Sequence, residues 1–219
     1  MSLLDFARGP ALQWSLYIFV VGVIWRILGA GLLMRVRDLS KPRVSDADRV
    51  KGGMMTILTR SMPPETFEKR IRFSHITGYL WHVGYFVVVL FFVPHILFFK
   101  SLLGFEWPGL PTPFILVVAA ITLATLVALL VRRMVHPVLK IISTADDYIS
   151  WVVATLPLIT GFLTVTRLGL AYETMLAVHI LSFALLLIWF PFGKLMHVFF
   201  IFPSRYNVGA IFARRGVRV

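Results

Sequence analysis

Five predominantly apolar runs, at roughly residues 11 to 34, 73 to 99, 112 to 131, 147 to 166 and 173 to 202, dominate a chain of 219 residues. About 20 consecutive apolar residues cross the hydrocarbon core of a bilayer as a helix, and each run meets that length. Together they use up most of the chain. A polar segment over 35–72 and a short basic tail remain, which leaves no room for a separate soluble domain. The expected fold class is all-α: a polytopic membrane protein of five transmembrane helices forming a single domain over 1–219. With 58% apolar and 14% aromatic residues, the composition excludes an ordinary soluble domain.

The net charge of +12 raises the possibility of a nucleic-acid partner, but the placement of the 22 Lys and Arg argues against one. Ten lie between the first two runs: Arg35, Arg37, Lys41, Arg43, Arg49, Lys51, Arg60, Lys69, Arg70 and Arg72. Arg132, Arg133 and Lys140 follow the third run, and Lys194, Arg205, Arg214, Arg215 and Arg218 mark the carboxyl end. Arg8, Lys100 and Arg167 fall on the opposite side, and Arg26 lies inside the first run. The positive-inside rule then places the amino terminus outside and the tail in the cytoplasm, with anionic lipid as a partner of the basic side. The expected location is the inner membrane of a prokaryote. Asp5 and Arg8 form no basic cluster ahead of the first run, which is also too long for a signal-peptide core, so helix one is expected to remain as an anchor. Cysteine is absent, which excludes disulfides, cysteine-ligated iron-sulfur clusters and covalent c-type haem.

Ionisable side chains are expensive inside a bilayer and mark functional paths. The run from Phe73 to Phe99 carries His82 and His95, and the run from Thr174 to Phe200 carries His179 and His197. With the orientation above, His95 and His179 share the outer layer while His82 and His197 share the inner one. Read as one helix, the fifth run puts its two histidines on one face, because 18 positions at about 100° each close five turns. At about 1.5 Å per residue they stand roughly 27 Å apart, and the helix-two pair about 20 Å apart. Four imidazoles in two layers look like axial ligands for two non-covalent haem b groups. Thirteen positions leave His82 and His95 some 140° apart around an ideal helix, and a kink at Pro94 is expected to re-aim His95. His75, near the face of His82, is the competing inner ligand, and Pro191 interrupts the fifth run between its histidines.

Haem propionates need cations at the membrane edge. Arg72, Arg133 and Lys194 are placed for the inner haem, and Arg26 either reaches inward or snorkels to the interface. For quinone, the outer segment offers Lys100, Glu106 and Trp107, with Tyr172 and Glu173 on the facing turn. Trp107 and Tyr172 also fit ordinary interfacial aromatics. Gly78, Gly84 and Gly161 allow close approach of a haem or a helix, and His136 reads as interfacial. In the inner loop, Ser45 and Asp46 cap an amphipathic stretch to Met62 that Pro63 and Pro64 stop; it suits a headgroup surface or a cytoplasmic iron-sulfur or catalytic subunit. Asp146 and Asp147 behind Thr144 cap helix four. Two function classes follow: a quinone-linked electron-transfer subunit, or a haem-free membrane scaffold or transporter component whose histidines are polar contacts or a proton relay.

The stretches "LWHVGYFVVVLFFVPHILFF", "FVVGVIWRI", "RRMVHPVLK", "STADDYISWVVATLPLITGFLT" and "VHILSFALLLIWFPFGKLMHVFFIFP" resemble the gamma, or cytochrome b, subunit of membrane-bound respiratory nitrate reductases. The likeness covers most of the chain. It implies a five-helix dihaem subunit that exchanges electrons with quinol near the outer face and with iron-sulfur proteins on the cytoplasmic side. Carried over by residue, His82 and His197 hold the inner haem, and His95 and His179 the outer one. The helix-two histidines are 13 apart, wider than in nitrate reductase gamma subunits, and the inner loop is longer. The resemblance therefore points to a relative serving another electron partner, such as a heterodisulfide-reductase-like or sulfur-metabolism complex.

Overall fold

The computed structural model describes residues 1–33, 40–63 and 65–217. Arg35, Arg37, Pro64 and Arg218, which entered the charge and loop readings, lie outside the described residues. The described residues form ten α-helices: α1 (Leu3–Phe6), α2 (Leu12–Leu33), α3 (Asp46–Thr59), α4 (Glu65–Phe91), α5 (Val93–Leu103), α6 (Thr112–Val135), α7 (Pro137–Ile142), α8 (Ala145–Thr166), α9 (Tyr172–Trp189) and α10 (His197–Arg214). Among the described residues, five helical stretches are long and apolar enough to cross a membrane: Leu3–Leu33, Glu68–Phe91, Thr112–Val135, Ala145–Thr166 and Tyr172–Trp189. The protein is all-α and polytopic.

Prolines decide where these helices bend. A π-helical turn over Ala7–Ala11 joins α1 to α2, with Gly9 leaving helical geometry (φ −96°, ψ −105°) next to Pro10. The second apolar run divides at Phe92, whose extended backbone (φ −78°, ψ 123°) ends α4 and opens α5, with Pro94 in the first turn of α5. The expected kink is a full break.

The fifth run requires a correction, because it is not one helix. α9 stops at Trp189, residues 190–193 turn the chain, and Lys194–Met196 form a 3-10 turn before α10. Pro191 lacks the N–H that would continue α9, and Gly193 is extended (φ −101°, ψ −175°). His179 and His197 therefore sit on different helices. The shared-face argument and the 27 Å spacing do not apply to them. α10 runs on to Arg214, through the segment expected as a short basic tail.

The chain forms two compact units. The first combines Met1–Ile18 with Arg72–Trp189. Its core joins Val88 of α4, Ile115, Ala119 and Leu126 of α6, and Leu158 of α8. Little hydrophobic force acts between helices in lipid, so close packing and polar contacts carry the association. Gly84 meets α6 where any Cβ would collide with Thr122 Oγ1, so this glycine serves helix packing. Trp151 Nε1 donates to the Leu126 carbonyl (3.0 Å) and Trp189 Nε1 to Ser150 Oγ (3.0 Å). Thr144 caps α8 reciprocally with Asp147, as the sequence indicated.

The second unit combines Phe19–Ile71 with Phe190–Val219. Pro191 lies over Gly22, where a Cβ would come within 2.6 Å of its ring. Ser45 caps α3, which ends at Thr59, earlier than the expected Met62. α3 and α10 pack antiparallel through small residues: a Cβ on Gly52 would lie 2.5 Å from that of Ala213, and one on Gly53 2.5 Å from the Tyr206 ring. Arg43 N–H to the Arg214 carbonyl (2.9 Å) and Arg205 Nη1 to Ser61 Oγ (3.1 Å) close the two ends of this pair.

Candidate functional site

Breaking a helix inside an apolar layer frees carbonyls that must find donors. At Phe92 they do. Pro94 has no N–H for the Leu90 carbonyl, and the Trp107 indole donates to it instead (2.6 Å). The Phe91 carbonyl accepts from Leu110 N–H (2.9 Å). The Val88 carbonyl faces His95 Nδ1 at 3.1 Å. A carbonyl only accepts, so Nδ1 of His95 carries the proton and Nε2 carries the lone pair. The break thus both turns His95 and fixes its tautomer.

His179 stands opposite on α9. The centres of its ring and that of His95 are 6.1 Å apart and the ring planes differ by 20°. Bonds of about 2 Å from one metal to an imidazole on each side place ring centres about 6 Å apart. The outer pair meets that spacing. His179 Nδ1 lies 3.2 Å from Thr160 Oγ1; Thr160 Oγ1 lies 2.9 Å from Ser182 Oγ, which donates to the His179 carbonyl (2.7 Å). Two hydroxyls from α8 and α9 so hold one imidazole. Gly161 gives that ring its space, since a Cβ there would come within 3.0 Å of His179 Cε1.

The expected inner pair divides between the units. His82, in the first, places Nδ1 2.7 Å from the Gly78 carbonyl and its ring 3.8 Å from that of Trp81. His197, in the second, opens α10 with Nδ1 2.9 Å from the Lys194 carbonyl. Both are therefore Nδ1–H tautomers with Nε2 as the donor atom, like His95. The His75 ring lies 4.8 Å from that of Tyr79, tilted by 57°.

Among the described residues no three His, Asp or Glu side chains gather as ligands for a bare ion. A porphyrin supplies four nitrogens of its own and asks the protein for two, which is what His95 and His179 offer. Of the expected propionate partners, Arg133 is held by Asp147 Oδ1 (3.1 Å) and Ser143 Oγ (2.9 Å), a bond pattern that ties α6 to the cap of α8. Arg26 is exposed on α2 at an apolar recess formed with Trp25, Gly29 and Phe200, and Arg72 and Lys194 are exposed on α4 and before α10. Among the quinone candidates, Lys100 pairs with Glu106 (2.9 Å), Trp107 closes the helix break, and Tyr172 lies under the Arg167 guanidinium at 5.6 Å. Thr160 and Ser182 were not anticipated, and only the i, i+3 spacing of His179 and Ser182 hinted at a shared face.

The fold and these residues define an all-α, multi-pass membrane protein with histidines in its apolar helices. A protein of Nitratidesulfovibrio vulgaris (strain Hildenborough), described only as "Protein", is 32% identical over 216 residues, covering 96% of this chain and 94% of its own length. This chain belongs to the same family as that protein. No family model matches the sequence, and no solved structure matches it.

Proposed function

We propose that the chain is a dihaem cytochrome b: the membrane-anchor subunit of a quinone-linked respiratory oxidoreductase in the inner membrane of a prokaryote. It passes electrons between the quinone pool and a cytoplasmic iron-sulfur or catalytic subunit, as its resemblance to nitrate reductase gamma subunits implies. The observation that carries this reading is the pairing of His95 with His179 at 6.1 Å. His95 and His179 hold the outer haem, and the resemblance assigns His82 and His197 to the inner one.

When bound between two imidazoles, such a group takes up and releases single electrons and leaves no site for oxygen. The chain's own residues orient the ligands. The Val88, Gly78 and Lys194 carbonyls and the Thr160 hydroxyl face the four Nδ1 atoms, so that Nε2 of each ring is the nitrogen that would bind the metal. Apolar helices exclude water around His95 and His179. Reduced-minus-oxidised visible spectra of the purified chain test the reading. Two b-type haems per chain are expected; a colourless protein overturns the proposal in favour of a haem-free scaffold or transporter component.

A further inference from the structure

α3 is packed on one side and apolar on the other. Gly52, Gly53 and Thr56 turn toward α10 and are covered by it. On the side away from α10, Val50, Met54 and Leu58 recur every four residues, 44%, 55% and 69% exposed. Met55 and Met62 widen the strip, at 48% and 71%. A helix that already has its partner within the chain still presents an apolar stripe.

Charge and connectivity say what covers it. Lys51 lies within the strip and Arg60 at its end, and both are exposed. The acidic groups of α3 are at its amino end, where Asp46 pairs with Arg49 (3.3 Å) and Asp48 accepts from Ser45 Oγ (2.6 Å). The strip itself is therefore apolar and cationic. Its end is tied close to a membrane span, because Thr59 is six residue steps from Glu65, where α4 opens, and six steps reach at most about 22 Å. An apolar stripe with basic residues beside it, tethered at that distance, is the pattern of a helix lying in the plane of an anionic bilayer surface.

We infer that α3 is an interfacial helix, with Val50, Met54 and Leu58 immersed at headgroup level and Lys51 and Arg60 on anionic lipid phosphates. This inference stands independently of any haem.

The absence of cysteine permits a clean test. Nitroxide is attached at Met54→Cys, Leu58→Cys and, on the flank, Thr59→Cys in the full chain. Each is reconstituted in nanodiscs of phosphatidylcholine with phosphatidylglycerol, and accessibility to oxygen and to a nickel chelate is read by power saturation. Positions 54 and 58 are expected to show an oxygen-to-nickel ratio severalfold above that at 59. Lys51→Gln with Arg60→Gln, or discs of phosphatidylcholine alone, is expected to lower it toward the value at 59. Water-like ratios at 54 and 58, or shielding from both reagents as in a protein contact, overturn the inference. A ratio unchanged in phosphatidylcholine discs overturns the assignment of anionic headgroups.

Discussion

Trp107 donates its indole N–H to the Leu90 carbonyl at 2.6 Å, supplying the donor that Pro94, four residues on, withholds. The bond joins the outer loop to the end of α4 and so holds the break that presents His95. Trp107→Phe keeps the ring and deletes the donor. Leaving a carbonyl unsatisfied within the apolar layer costs about 1–3 kcal/mol, so the thermal midpoint falls. Adding Pro94→Ala restores a backbone N–H and recovers much of the loss. An unchanged midpoint in Trp107→Phe, followed by far-ultraviolet circular dichroism, refutes this role.

His95 and His179 act as one site if they share a metal. His95→Ala and His179→Ala are each expected to reduce haem content from two per chain to one, and the double variant to go no lower than either single. The pyridine haemochrome assay reads this. Retention of two haems in both single variants removes the pair as ligands.

The uninterrupted runs were legible. α6 and α8 came out near their expected bounds because no proline or glycine lies where it would end them early; Pro157 sits inside α8 without breaking it. The fifth run was misread because hydropathy scores Phe190, Pro191 and Phe192 as membrane core, while the backbone limits of Pro191 turn the chain there. Pro94 announced a distortion near His95, and from it the orphaned Leu90 carbonyl was deducible. That Trp107 fills it depends on the path of the loop, 17 residues away. The Thr160 and His179 contact depends on the register of α8 against α9, which no spacing within either helix sets.

Thr160 Oγ1 lies 3.2 Å from Nδ1 of His179, and with the proposed haem bound it would tune the metal through that ring. An acceptor on that nitrogen increases the electron density the ring gives to a bound metal and favours its oxidised form. Thr160→Val keeps the shape and removes the acceptor, so one of the two midpoint potentials rises; a tenfold change in the equilibrium is about 60 mV for one electron. Thr160→Ser retains the wild-type value. Two haems with unshifted potentials in Thr160→Val refute the tuning role and leave the ligand pair standing.

Gly209 lets α10 approach α3. A Cβ there would collide with Thr56 Oγ1 and lie 2.5 Å from the Gly52 carbonyl oxygen, so backbone meets backbone at this crossing. Overpacking of a close contact costs about 1–3 kcal/mol, and here the neighbours include main chain that cannot rotate away. Gly209→Leu is therefore expected to part α3 from α10, with Gly209→Ala giving a smaller effect. Trypsin reports the separation, because Arg49, Lys51 and Arg60 lie on or beside α3 and become better substrates once it loosens. Gly31→Leu is the control, since nothing lies within 4 Å of a Cβ at that position in the same unit. Equal cleavage rates in Gly209→Leu and Gly31→Leu would mean that the small-residue contact does not hold the two helices together.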